Sequence, residues 1–237
     1  MENRYVVNEG HSKYDGLTML ATDGVHDSVV EEIQKKVKAG SKILDIGAGV
    51  GAMSKRLHDL GYEVVAVDIC EENFKPKDIR FVKFDIEQKL HNIINEKFDC
   101  IIAIEVIEHL YNPSEIYETA KQLSKKETCF MITTPNIASF VSVHSLFRHS
   151  TLSHFHHRDL WVETGHVSPI SIYQLQNLAI DNGFYTEEIK AIGNLSIFNF
   201  RNGYMKGILL GFIFIVLNLV ANKYFKGDNI LWIGIKK

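Results

Sequence analysis

Residues 43–54 read ILDIGAGVGAMS: a short apolar run, then Gly47, Gly49 and Gly51 at alternate positions, then residues with helical spacing. Glycine accepts left-handed backbone and lets a ligand come close to the main chain. Between a strand and a helix, such a turn directs helix N-terminal N–H groups into the crevice at the strands' carboxyl ends. The turn alone leaves its ligand open, because Gly47, Gly49 and Ala52 also satisfy the looser G-x-G-x-x-[GA] pattern of nicotinamide dinucleotide sites.

Outward from this turn, the runs EVVAVD, IRFVKFD, FDCIIAI and TCFMITT alternate with amphipathic stretches, and YTEEIKAI and NILWIGI follow near the end. Continuous Ile, Val and Phe runs of this length predict strands buried on both faces, joined by crossover helices. The expected fold is therefore α/β: a Rossmann-like, mostly parallel sheet of about seven strands, with helices on both faces. SPISIYQLQNLAIDNGF predicts a helix stopped at Gly183. Residues 1–237 read as one domain, with no repeat or low-complexity linker.

Three acids accompany the turn. Asp45 precedes the first glycine, making D-x-G-x-G-x-G; Asp68 ends the second strand and Asp85 the third. With these acids the chain resembles the class I S-adenosylmethionine-dependent methyltransferases from about residue 26 onward, a family that also ends in an antiparallel last strand. The resemblance implies S-adenosylmethionine as cofactor. By it, Asp45 with Gly47, Gly49 and Gly51 would hold the methionine moiety. Asp68 with Ile69 would hold the ribose, and Asp85 with Ile86 the adenine. Ile104 and Glu105 would line the methionine side.

EVIEHL, residues 105–110, follows the fourth strand and puts Glu105, Glu108 and His109 at i, i+3 and i+4. One helical turn would bring all three to one side. Two carboxylates and an imidazole suit a divalent cation such as Mg2+, and a later histidine, His166 in ETGHVSP, is the candidate fourth ligand. This motif resembles the metal-assisted O-methyltransferases of ubiquinone biosynthesis and the small-RNA terminal 2′-O-methyltransferases. A bound cation would lower the pKa of an acceptor hydroxyl. Without metal, His166 or His109 is the expected general base, and Glu108 and His109 have structural alternatives as a loop ion pair and a packing histidine.

Six of the eleven histidines lie between His144 and His166, after the fifth strand, where open sheets place their crevice. Residues 137–168 therefore read as a lid: a helix over IASFVSVHSLFRHS, then a substrate-covering loop. Residues 203–224 read as an apolar helical insertion. Its sixteen uncharged residues between Lys206 and Lys223 would span roughly 24 Å as a helix, short of a bilayer core. Peripheral membrane contact through 205–222, a homodimer contact and a helix packed on its own domain are the alternatives. Bacterial glycan-pathway methyltransferases look similar in this region.

The formal charge of -3, from 26 basic and 29 acidic residues, makes nucleic acid an unexpected partner. Three separated cysteines fit reduced thiols, and MENRYVVNEG lacks a secretory pattern, so the expected location is the cytoplasm, with association at the inner membrane face. The expected activity is O-methylation of a small or lipid-linked acceptor, such as a glycan precursor or a polyprenyl phenol. N- or C-methylation without metal, and a non-catalytic cofactor-binding scaffold, are the competing assignments.

Overall fold

The structure, a computed structural model, describes residues 12–88, 90, 93–155, 165–193 and 223–237. A small hairpin of β1 (Lys13–Tyr14) and β2 (Leu17–Thr18) leads into α1 (Val25–Lys36). Then come β3 (Lys42–Ile46), α2 (Ala52–Asp59), β4 (Glu63–Asp68), β5 (Arg80–Lys83) and β6 (Phe98–Ile104). The second half holds α3 (Ser114–Leu123), β7 (Ser124–Pro135), α4 (Phe140–His149), α5 (Ile172–Asp181), β8 (Phe184–Ile192) and β9 (Asn229–Lys236). All seven expected strands are present in one sheet, ordered β5-β4-β3-β6-β7-β9-β8.

β3 pairs in parallel with β4 and β6, as do β4 with β5 and β6 with β7. β9 runs antiparallel to both β7 and β8, the expected antiparallel last strand. The chain moves outward from β3 to β5 and then returns to β6 on β3's other side. That reversal opens a crevice at the carboxyl ends of β3 and β6, where ligands of open α/β sheets bind.

Strand alternation sends neighbouring residues to opposite faces, and both faces are covered. Ile43, Val64, Ala66, Ile102 and Met131 pack with Val29 and Ile33 of α1 and Met53 and Leu57 of α2. Leu44, Ile46, Val65, Ile101 and Phe130 pack on the other side with Ile116 and Ala120 of α3 and Leu175 and Ala179 of α5. An aromatic cluster ties this second face to β9. Tyr117 lies 5.4 Å from Phe130 and 5.5 Å from Trp232, ring centre to ring centre, and its hydroxyl donates to Leu175 O at 3.0 Å.

Helix ends follow the local chemistry. Ser171 and Gln174 close a capping box on α5, and Gly183 follows it with a φ of 74°. Before α3, Asn112 accepts from Ser114 N at 3.3 Å, while Glu115 takes a hydrogen bond from the Asn112 side chain rather than from its backbone amide. α4 occupies the stretch expected as the lid helix. Within the expected lid, 137–168, residues 156–164 lie outside the described residues, as do residues 203–222 of the expected apolar insertion, 203–224. Among the described residues no helix is long and apolar enough to cross a membrane.

Candidate active site

The glycine turn sits at the end of β3, with the amides of Gly47 and Ala48 donating to Val67 O at 2.8 and 3.0 Å. Gly47, Gly49 and Gly51 have φ of 75°, 55° and 88°, the left-handed region that side chains disfavour. Space is a second constraint. A Cβ on Gly47 would lie 2.4 Å from Val106 Cγ2, and one on Gly51 2.6 Å from Pro76 Cδ. The turn is thus pressed between the segment that follows β6 and the loop that follows β4.

The acids around the turn are held by named donors. Asp68 accepts from Gly49 N at 2.8 Å and from Cys70 N at 2.9 Å, so it braces the turn from the end of β4. Asp45 is 2% exposed and accepts from Ser54 Oγ, on α2, at 2.5 Å. Burial pushes its pKa up to about 6, with the Ser54 hydroxyl opposing and the Asp68 charge adding to the rise. Phe84 N donates to Asp68 O at 2.9 Å, which puts Asp85 just beyond the end of β5, where it accepts from Glu87 N at 3.1 Å. Ile69 is half exposed; Ile86 and Ile104 are partly buried. Asp45, Asp68 and the glycines are therefore one connected unit, and Asp85 lies along the same row of strand ends.

EVIEHL departs from the expected helical turn. Glu105 directly follows β6 in the left-handed region, with φ of 52°, and a single 3-10 turn, Ile107–His109, comes after it. The tighter turn separates Glu105 from the other two groups. Thr133 Oγ1 donates to Glu105 Oε1 at 2.7 Å, and Asn229 Nδ2 donates to Oε2 at 2.6 Å. Burial lifts the Glu105 pKa to about 7, against the pull of these two hydrogen bonds.

Glu108, His109 and His166 form the second unit, each offering one ligand atom within 4.8 Å of the others. Glu105, expected as a fourth member, is not in this set; its two oxygens are bonded to Thr133 and Asn229 instead. Distant His166 is brought in by backbone bonds: Val167 N and Ser168 N both donate to Glu108 O at 2.9 Å. Glu108 has no exposed surface, and among the described residues neither carboxylate oxygen has a partner at hydrogen-bond geometry. Burial, then the neighbouring Glu105 charge, raises its pKa well above the carboxylate range, with its own backbone amide and the nearby Thr134 hydroxyl opposing. His166 Nε2 stands 4.0 Å from Glu108 Oε1.

Both imidazoles favour their neutral form. Burial, then the His109 and His154 rings, lower the His166 pKa to about 4; packing also lowers that of His109. His109 Nδ1 lies 3.1 Å from Gly165 O. A carbonyl only accepts, so Nδ1 carries the proton and Nε2 keeps its lone pair, as a metal-ligating histidine requires. A buried carboxylate without donors is costly unless a proton or a cation joins it. Together with two neutral imidazoles it makes a borderline donor set that fits a divalent cation with open positions. The segment that follows α4 reaches this unit: the rings of Phe155 and His154 lie 5.4 and 6.4 Å from that of His166.

Ser54, Thr133 and Asn229 were not singled out from the sequence. Isolated serines, threonines and asparagines carry no spacing signal, although Ser54 lies in the first turn of the helix right after the glycine turn. Thr133 and Asn229 reach Glu105 only through strand pairing.

Comparison with known proteins agrees with this geometry. The family described as "Methyltransferase domain" matches residues 23–189. The mitochondrial ubiquinone biosynthesis O-methyltransferase of Bos taurus is 28% identical over 138 residues, covering 53% of this chain and 37% of that protein. The ubiquinone biosynthesis O-methyltransferase of Glaesserella parasuis is 33% identical over 109 residues, 41% of this chain and 46% of that protein. The match thus spans less than half the length of either relative. Among solved structures, a SAM-dependent methyltransferase from Archaeoglobus fulgidus superposes with a TM-score of 0.60 at 18% identity, covering 89% of this chain and 94% of that one. Magnesium protoporphyrin IX methyltransferase from Synechocystis PCC 6803, with bound SAH, gives 0.58 at 15% identity, covering 90% and 82%. With the family match over residues 23–189 and this shared fold, the chain belongs to the methyltransferase domain family, in the class I S-adenosylmethionine-dependent group.

Proposed function

We propose that the protein transfers the methyl group of S-adenosylmethionine to a hydroxyl oxygen of a small or lipid-linked acceptor. In this assignment Asp45 and the glycine turn take the methionine moiety, Asp68 and Ile69 the ribose, and Asp85 and Ile86 the adenine. Ile104 and Glu105 line the methionine side. Glu108, His109 and His166 face the acceptor. The observation that carries the proposal is Glu108: fully buried, without a hydrogen-bond partner on either oxygen among the described residues, and grouped with two neutral imidazoles. N- or C-methylation gives such a group no task, and the ubiquinone-biosynthesis relatives act on oxygen by name.

Those three residues would hold a divalent cation, which when bound lowers the pKa of an acceptor hydroxyl. His109 keeps its Nε2 lone pair turned from Gly165, and Glu108 offers the negative charge. In a reaction without metal, His166 accepts the hydroxyl proton, its neutral form being favoured by burial. Lipid-linkage of the acceptor, and contact with a membrane surface, are supported by the uncharged run at 207–222.

The experiment is transfer of labelled methyl from S-adenosylmethionine to a panel of phenolic and glycan hydroxyls, with and without chelator. Turnover lost with EDTA, restored by Mg2+ and absent in Glu108→Ala supports the cation. Turnover unchanged by both chelation and Glu108→Ala removes metal from the mechanism. Tight NAD(H) binding with no retention of S-adenosylhomocysteine overturns the whole proposal.

A further inference from the structure

Thr133 and Asn229 hold Glu105 from two different strands. The Thr133 hydroxyl accepts from Glu105 N at 3.0 Å and donates to Glu105 Oε1 at 2.7 Å, so one side chain binds both the backbone and the carboxylate of the same residue. Glu105 N also lies 3.2 Å from Thr133 O. Asn229, the first residue of β9, donates to the remaining oxygen at 2.6 Å. Thr133 has no exposed surface and Asn229 is 2% exposed. The bonded residue itself is in the left-handed region, a conformation that a side chain keeps only when its surroundings hold it.

Asn229 is also fixed in place. It pairs with Pro135 across the β7–β9 ladder, and the preceding turn is gripped by Asn136, whose side chain donates to Tyr224 O at 2.6 Å and Gly227 O at 2.7 Å. Asn136 N closes the grip on Asp228 O at 2.7 Å. The next residue after Glu105, Val106, presses on Gly47 of the glycine turn. The clamp thus sets the wall of the crevice opposite the turn.

We propose that Asn229 and Thr133 are positioning residues for the cofactor, holding the Glu105 carboxylate and its left-handed backbone so that both meet the methionine end of S-adenosylmethionine. The proposal rests on the cofactor assignment above. Neither residue touches the reacting atoms; each acts through Glu105. A carboxylate released from the clamp samples several rotamers and must be ordered again on binding, which weakens affinity.

The test is calorimetric binding of S-adenosylmethionine to the full chain, in a double-mutant cycle with thermal unfolding recorded for each variant. Asn229→Ala and Thr133→Val should each weaken binding about tenfold, a loss typical of one hydrogen bond to a charged group. Thr133→Ser, which keeps the hydroxyl, should bind like the wild type. In a Glu105→Ala background Asn229→Ala should add less than twofold, because a partner acting through Glu105 has nothing left to hold. Equal losses with and without Glu105 would show a merely structural role and overturn the proposal, as would wild-type affinity in both Asn229→Ala and Thr133→Val. If Asn229→Ala does not fold, the same cycle with the near-isosteric Thr133→Val decides. A wild-type chain that binds no S-adenosylmethionine defeats the cofactor assignment itself, and the clamp with it.

Discussion

Replacing Asp45 by asparagine should make the free protein more stable at neutral pH while weakening cofactor binding. Asp45 is buried at the crevice, and its pKa rises from 3.8 to about 6, first through burial and then through the Asp68 charge, with Ser54 opposing. Below pH 3.8 both folded and unfolded chains carry the proton, and the group has no effect on stability. Between 3.8 and about 6 the unfolded chain ionises first, so stability falls as pH rises; above about 6 the loss is complete. A rise of about two units corresponds to about 3 kcal/mol at 1.36 kcal/mol per unit. Asparagine keeps the shape and an oxygen for the Ser54 hydroxyl but never ionises. The variant should therefore match the wild type near pH 3.5 and exceed it by up to about 3 kcal/mol at pH 7, measured by urea unfolding across that range. Affinity for S-adenosylhomocysteine should fall in parallel, the usual trade between stability and a site built for its ligand. A variant less stable than the wild type at pH 7, or a difference that does not change with pH, would refute the reasoning.

Three further outcomes test the packing. Gly47→Ala meets both a left-handed backbone and Val106 Cγ2 at 2.4 Å, and should lose about 2–4 kcal/mol in chemical denaturation. Gly16→Ala shares the left-handed φ but has nothing within 4 Å, and should lose only about 1 kcal/mol. Tyr117→Phe removes the hydroxyl that donates to Leu175 O while keeping the ring among Phe130 and Trp232, so unfolding should cost about 1 kcal/mol less.

The periodicity of the chain was enough to place the strands. Runs such as FDCIIAI are apolar at every position but Asp99 because their two faces meet two separate cores, and each of the seven runs appears as a strand. The glycine turn was equally readable, since alternate glycines between strand and helix are rarely needed elsewhere. Spacing misjudged EVIEHL. Three groups at i, i+3 and i+4 share a side only if all three lie in one α-helix, but Glu105 sits in left-handed backbone just past the strand and the following turn is 3-10.

Local rules thus determined the elements, the sheet's order of chemistry and the acids at the strand ends. Only the tertiary structure divided the acids after β6 into two sites. Glu105 is claimed by Thr133 and Asn229, residues that strand pairing brings from far along the chain, while Glu108, beside His109 and His166, has no hydrogen-bond partner on either oxygen among the described residues. The physical reason is that a carboxylate's role depends on which donors reach its oxygens. Those donors arrive by long-range pairing, which sequence spacing does not encode.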